Sequence, residues 1–235
     1  MNTLLVKPMA KELLVWRCLH DGPLTADTLE EPPADAPVDW ERRRAVNVPL
    51  LSNLTDAYGA CAMLAWEGDR VVGFLRFYPK EVVERDEAGQ LCLQQEPPNG
   101  PSEALLTQPL PPMDELDLKT LTVHCMMTGS PQQKQNPYQR IGLGTQLAKT
   151  LVDWAREQGW ERIEAPAYED LDAIYRVTGL AGRAFWERLG FKAVRIEKAG
   201  FESEFLQQVE KQALAQGLDR MSAQNRYLMR RDLVS

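Results

Sequence analysis

The feature that most constrains this chain is a strand-like run that passes through two glycines into a helix and out into a second strand. In "LTVHCM", Leu121, Val123 and Cys125 alternate with Thr122 and His124, the period of two that marks a strand. Gly142 and Gly144 stand at the mouth of the next pattern, "YQRIGLGTQLAKTLVDWAREQGW". There Leu147, Leu151, Trp154 and Ala155 fall on one helical face, and Gly159 ends it. "ERIEAPAY" then reads as another strand. A strand, a helix and a strand in that order call for parallel pairing.

The first half of the chain asks for the opposite pairing. In Ala60 to Pro79, two apolar runs rich in Val, Phe and Tyr flank "EGDR", which predicts an antiparallel hairpin. Residues near Glu12 to Leu19 are expected to form a first strand. The stretch from Asp39 to Gly59 reads as mostly helical, broken by Pro49 and closed near Gly59. Towards the C-terminus, "LAGRAFWERLG" reads as a short helix, "FKAVRIEK" as a strand, "FESEFLQQVEKQALAQGL" as an amphipathic helix and "NRYLMRRDLV" as a final strand. The prediction is an α/β chain of the α+β type, with a mixed, largely antiparallel central sheet and helices on both faces. With 235 residues it is expected to be one domain, 1–235, with insertions near 84–117 and 198–222. The proline-bearing stretches Asp21–Asp39 and Glu84–Asp117 read as surface excursions, the second with a short strand or hairpin near "GQLCLQQ".

The glycine pair has two readings. The first turn of a helix leaves backbone N–H groups without intrahelical acceptors, and the helix dipole adds partial positive charge there. A phosphate satisfies both if no side chain blocks its approach, and two glycines clear the way. Alternatively, the glycines merely loosen a helix entry. A dinucleotide fingerprint would need a third glycine where Leu147 stands, and a phosphate loop of the Walker type would need a following Gly-Lys-Ser/Thr, which is missing.

Bulk properties exclude other classes. The net charge of −7 gives no basic footprint for nucleic acid. Cys18, Cys61, Cys92 and Cys125 are widely spaced and form no ligand cluster with His20 and His124, so no zinc is expected. No run approaches the roughly 20 apolar residues of a membrane span, and the N-terminus makes a poor signal peptide. The expected setting is cytoplasmic, without metal, membrane or nucleic-acid partners; a homodimer is compatible with the sequence.

The run "QRIGLG" resembles the Q/R-x-x-G-x-G/A motif of the GCN5-related N-acetyltransferases (GNAT), through Gln139, Gly142 and Gly144. "LTVHC" looks like that family's fourth strand, and "AFWERLGF", Ala184 to Phe191, like its later helix and the turn into the next strand. The resemblance covers roughly residues 60–80 and 116–197. It implies the acyl-CoA N-acyltransferase fold, with acetyl-CoA lying where the fourth and fifth strands splay apart. The diphosphate would rest on the amides of Gln139, Arg140, Ile141, Gly142, Leu143, Gly144 and Thr145. The pantetheine arm would run beside Leu121, Thr122 and Val123, where a strand amide polarises the thioester carbonyl.

The pattern also departs from the family. The position of its frequent general acid, a tyrosine, holds Trp186, whose indole N–H donates a hydrogen bond but supplies no proton. Trp186 is therefore read as a cofactor-lining residue. Gly179 replaces a frequent asparagine, the connection from Cys125 to Gln139 is long, and a helix separates the last two strands. Removal of the amine's proton is assigned to His124 or Glu164, with Glu169 and Asp170 as further carboxylates and Tyr168 and Tyr175 as stand-in acids. Cys125 reads as a buried, inert thiol, and Trp154 and Trp160 as packing residues. The function expected is direct transfer of an acetyl group from acetyl-CoA to an amine of a small molecule or protein. The alternatives are a non-catalytic acyl-CoA-binding sensor and a nucleotide-binding protein using the same helix start.

Overall fold

The computed structural model describes residues 4–19, 22–30, 40–84, 109–130, 135–178 and 180–234. The expected short strand or hairpin near "GQLCLQQ", most of the two proline-bearing stretches, and His20, Cys92 and Gly179 lie outside the described residues. Seven strands form one sheet in the order β1-β2-β3-β4-β5-β7-β6. They are β1 Leu4–Pro8, β2 Ala62–Glu67, β3 Arg70–Pro79, β4 Thr120–Thr128, β5 Arg162–Ala167, β6 Lys192–Lys198 and β7 Asn225–Asp232. The β4–β5 pair is parallel and every other neighbouring pair is antiparallel. The mixed, largely antiparallel sheet expected from the strand and helix order is therefore present.

The helices are α1 Ala26–Glu30, α2 Trp40–Tyr58, α3 Lys80–Glu84, α4 Leu143–Glu157, α5 Asp172–Thr178, α6 Arg183–Glu187, α7 Ser203–Ala215 and α8 Arg220–Ala223. Helix α4 presents its apolar stripe to the sheet: Leu143, Leu147, Leu151 and Ala155 are buried, and the Trp154 ring lies 5.2 Å from that of Phe77 on β3. Most of the buried residues belong to one core between sheet and helices. Leu171, Ala173 and Ile174 around α5, with Val209, Ala213 and Ala223 of α7 and α8, make a second, smaller core.

Two expectations about elements are corrected. The first strand is Leu4–Pro8, paired with β2, and not the run Glu12–Leu19. That run buries Val15, Trp16 and Leu19 as irregular backbone. Its buried carbonyls are met by side chains instead of a ladder: Arg76 donates to the Val15 carbonyl at 2.6 Å and Asn47 to that of Trp16 at 3.0 Å. Helix α2 runs through Pro49 unbroken. The proline forgoes one hydrogen bond, but the turns after it bury Leu50, Leu51, Leu54 and Tyr58, which outweighs that loss. As expected, a helix separates the last two strands in the chain; β6 and β7 pair as antiparallel neighbours across α7 and α8. Helix α5 had no counterpart in the sequence reading.

Candidate functional site

The glycine loop sits at the N-terminus of α4. Its N-cap, Gly142, has φ +86° and no side chain to cap the helix. The first helical bond runs from the Gln146 N–H to the Gly142 carbonyl, 3.0 Å, so the N–H groups of Leu143, Gly144 and Thr145 have no intrahelical acceptor. A left-handed residue followed by a helical one turns successive N–H groups into one concavity, an anion nest. A Cβ at Gly142 would meet nothing within 4 Å, so the mouth is open there. A Cβ at Gly144 would sit 3.3 Å from the methyl of Met126 on β4, so that glycine serves close packing of the helix start against the strand. The two glycines thus divide the two readings of the motif between them.

Around this mouth, Gln139, Arg140 and Ile141 are exposed, and Arg140 takes a left-handed φ of +59°. Leu143 is buried in the core, which leaves only its backbone N–H for a ligand. The loop is anchored from behind. Asn136 donates to the Thr128 carbonyl at 2.6 Å and accepts from the Tyr138 N–H at 3.0 Å, and the Tyr138 hydroxyl donates to Glu67 at 2.9 Å.

The second component is a gap in the sheet. Strand β4 pairs with β5 over only Thr120↔Arg162, Leu121↔Ile163 and Thr122↔Glu164. From Val123 onward β4 has no ladder to β5, although it stays paired with β3 as far as Thr128. The cause is local. In the β3–β4 ladder, Phe77 pairs with Val123 and Arg76 with Cys125, so His124 is an extra, bulged residue. A bulge bends its strand and sharpens its twist, which swings β4 away from β5. Leu121, Thr122 and Val123 lie where the ladder ends, and the glycine loop follows β4 at the open end.

His124 is partly buried in the bulge, its ring 5.6 Å from that of Tyr78, and its Nδ1 has no hydrogen-bond partner. Burial first, and then the charge of Arg76, lowers its pKa to about 3, so the imidazole is neutral near pH 7. Glu164 is 2% exposed, with Lys80 at 2.8 Å from one oxygen and the Arg230 guanidinium at 2.7 and 2.9 Å from the other. Burial alone would raise its pKa; the hydrogen bonds and charges of Lys80 and Arg230 prevail and hold it below the usual carboxylate range. Glu169 accepts a 2.5 Å hydrogen bond from Tyr227. Asp170 accepts from the Ala184 N–H and so caps α6. Burial raises the pKa of Tyr168 and Tyr175, which keeps both phenols protonated. Trp186 is 1% exposed, packed on Phe185 and Phe191, with its indole N–H unpartnered. The backbone positions named from the sequence gather at the loop and at the gap, whereas the side chains of Glu164 and Trp186 are enclosed by protein.

Arg76 is a residue that the sequence reading missed. It lies within a strand that is buried from Val71 to Pro79, at the position that faces the β4 bulge. A charged residue inside the buried half of a predicted hairpin was the available signal.

Residues 135–191 match the model of the Acetyltransferase (GNAT) family. No curated protein matches the chain. Among solved structures, an acetyltransferase of GNAT family from Streptococcus pneumoniae shares the fold at TM-score 0.51 and 12% identity, over 99% of this chain and 100% of that one. The ribosomal-protein-S18-alanine N-acetyltransferase from Escherichia coli aligns at TM-score 0.47 and 12% identity, over 99% and 96% of the two chains. A GNAT family acetyltransferase from Elizabethkingia anophelis with acetyl-CoA bound aligns at TM-score 0.41 and 12% identity, over 98% of each chain.

Proposed function

We propose that this chain, a GNAT-type fold carrying that family's segment at residues 135–191, transfers an acetyl group from acetyl-CoA directly to an amine. The observation that carries the reading is the conjunction of an uncapped, open helix start with a strand pair that parts after three residues. An anion fits the first and an extended arm fits the second. The N–H groups of Leu143, Gly144 and Thr145 would hold the diphosphate, with Gln139, Arg140 and Ile141 at the rim. The edge of β4 freed from Val123 onward, just past Leu121 and Thr122, would hold the pantetheine arm as an added strand.

Acetyl-CoA supplies a thioester whose leaving thiol, with a pKa of about 8.5, departs without a strong acid. This suits a site whose tyrosine position is Trp186. The chain's own groups orient the acceptor. A neutral His124 accepts a hydrogen bond from the amine but is too weakly basic to hold its proton at neutral pH. Glu164, with cations on both oxygens, positions β5 against β3 and β7. The amine's proton therefore leaves to water.

The buried indole at position 186 favours one rival, an acyl-CoA-binding module without catalysis. Two measurements separate the readings. Acetyl-CoA should raise the melting temperature, and ATP and NAD should not. Free CoA thiol should then appear when amines are added; protection without thiol release would leave the rival standing. Protection by ATP or NAD alone would overturn both.

A further inference from the structure

Beside the β4 bulge stands a buried cation, Arg76, with no matching anion among the described residues. Arg76 is 6% exposed. Its guanidinium donates to the Val15 carbonyl at 2.6 Å, shares a hydrogen bond with Tyr78, and lies 5.2 Å from the Phe74 ring. Its Nε is buried without a partner. Among the described residues, the groups within electrostatic reach are Tyr78, Cys125, Cys18 and Cys61, and none of these is a carboxylate. Burial keeps the Cys61 thiol protonated, with a pKa near 11, and that of Cys125 near 12, and it raises the Tyr78 phenol as well. A buried guanidinium is always charged, and burial without a counter-charge is costly. A structural role for Arg76 explains the bond to Val15 but not the idle Nε.

The place of Arg76 tells what the missing anion belongs to. Phe77 faces α4 through Trp154, so its neighbour Arg76 points to the opposite face of the sheet, where the segment Val15–Leu19 lies. The glycine loop serves one face and Arg76 the other. Between them, at the bulge, His124 also carries a buried nitrogen with no partner. Cys18, His124 and Cys125 are each partly exposed, so this corner reaches the surface.

We propose that Arg76 binds a carboxylate of the acceptor, which makes the acceptor an amino-acid-like amine and not a polyamine or an aminoglycoside. This rests on the acetyl-transfer reading above. The acceptor would lie on the face away from the glycine loop, with its carboxylate on Arg76 and its amine towards the gap between β4 and β5.

The test compares amino acids, their C-terminal amides and a polyamine as acceptors of acetyl-CoA. CoA release is followed for wild type, Arg76→Met and Arg76→Lys. A charge-assisted contact of this kind predicts about a tenfold or greater preference in kcat/KM for carboxylate over amide. Arg76→Met should lose the preference, Arg76→Lys should keep part of it, and acetyl-CoA should still protect both variants against heat. Equal rates with carboxylate and amide, or a preference that survives in Arg76→Met, would overturn the proposal while leaving acetyl transfer intact. Preference for succinyl-CoA over acetyl-CoA with a flat acceptor profile would put the carboxylate on the acyl chain and overturn the acceptor assignment. Should neither variant fold, the wild-type panel decides. Should no amine release CoA, acetyl transfer fails, and stabilisation of the CoA-loaded wild type by amino acids over their amides decides for Arg76 or against it.

Discussion

At the scale of single residues, two glycines one position apart do unlike work. Gly144 lets α4 approach Met126, and Gly142 leaves the helix mouth bare. The left-handed φ of Gly142 disfavours most side chains, but asparagine and aspartate tolerate that region best. Gly142→Asn and Gly142→Asp therefore carry similar backbone cost and differ in charge. Gly142→Asp should abolish acetyl-CoA protection in a thermal-shift assay, because it sets a carboxylate at the proposed seat of the diphosphate. Gly142→Asn should keep part of it. Equal protection of both variants would place the diphosphate elsewhere. The glycine motif was legible because it is local, two residues and a helix start. His124 was equally visible as a titratable residue on a strand, but its role was not. Its neutrality comes from burial and from Arg76, 48 positions earlier in the chain, and no spacing rule connects the two.

At the scale of elements, the site is a defect in a ladder. One bulged residue frees β4 from β5, and the sheet is closed again at the near end by Glu164. That carboxylate joins Lys80, at the end of β3, to Arg230, on β7. Glu164→Gln would leave two cations facing each other over a neutral amide. We expect a loss of roughly 2 kcal/mol, reduced from the fully buried case because both cations are partly exposed. The pH dependence has a definite sign. A carboxyl group with a folded pKa below its ordinary 4.5 stabilises the fold above that pH, and the contribution is lost as pH falls through the folded value. Wild type should therefore lose stability faster than Glu164→Gln below about pH 4.5. Parallel melting curves across that window would show that Glu164 carries no such linkage. Strand β4 was legible from period-two alternation, and β2 and β3 from apolar runs around a short turn. The bulge was not, because an extra residue shows only against the register of the partner strand. The run Glu12–Leu19 misled for a related reason: burial gave it a strand's composition, while its hydrogen bonds go to side chains of Asn47 and Arg76.

At the scale of the molecule, the insertion between β6 and β7 forms a body of its own with α5. Val209 and Ala213 of α7 pack with Leu171, Ala173 and Ile174, and Tyr175 of α5 shares a hydrogen bond with Thr128 at the end of β4. Val209 is fully buried, so Val209→Ala should cost roughly 2 kcal/mol. If this body is supported independently of the glycine loop, acetyl-CoA should still protect the variant; loss of protection would show that the insertion holds the cofactor site together. By itself the sequence determined which segments are strands and helices over most of the chain, that its second half needs parallel pairing somewhere, and the bare helix start, since each rests on short-range periodicity or on the geometry of a few neighbouring residues. Only the tertiary structure decided which strand edges part, that β6 and β7 meet across two helices, and that Arg76 lies buried beside the gap without a counter-charge among the described residues. Those outcomes depend on register, burial and electrostatic neighbourhood between residues far apart in the chain, and such quantities have no value until the chain is folded.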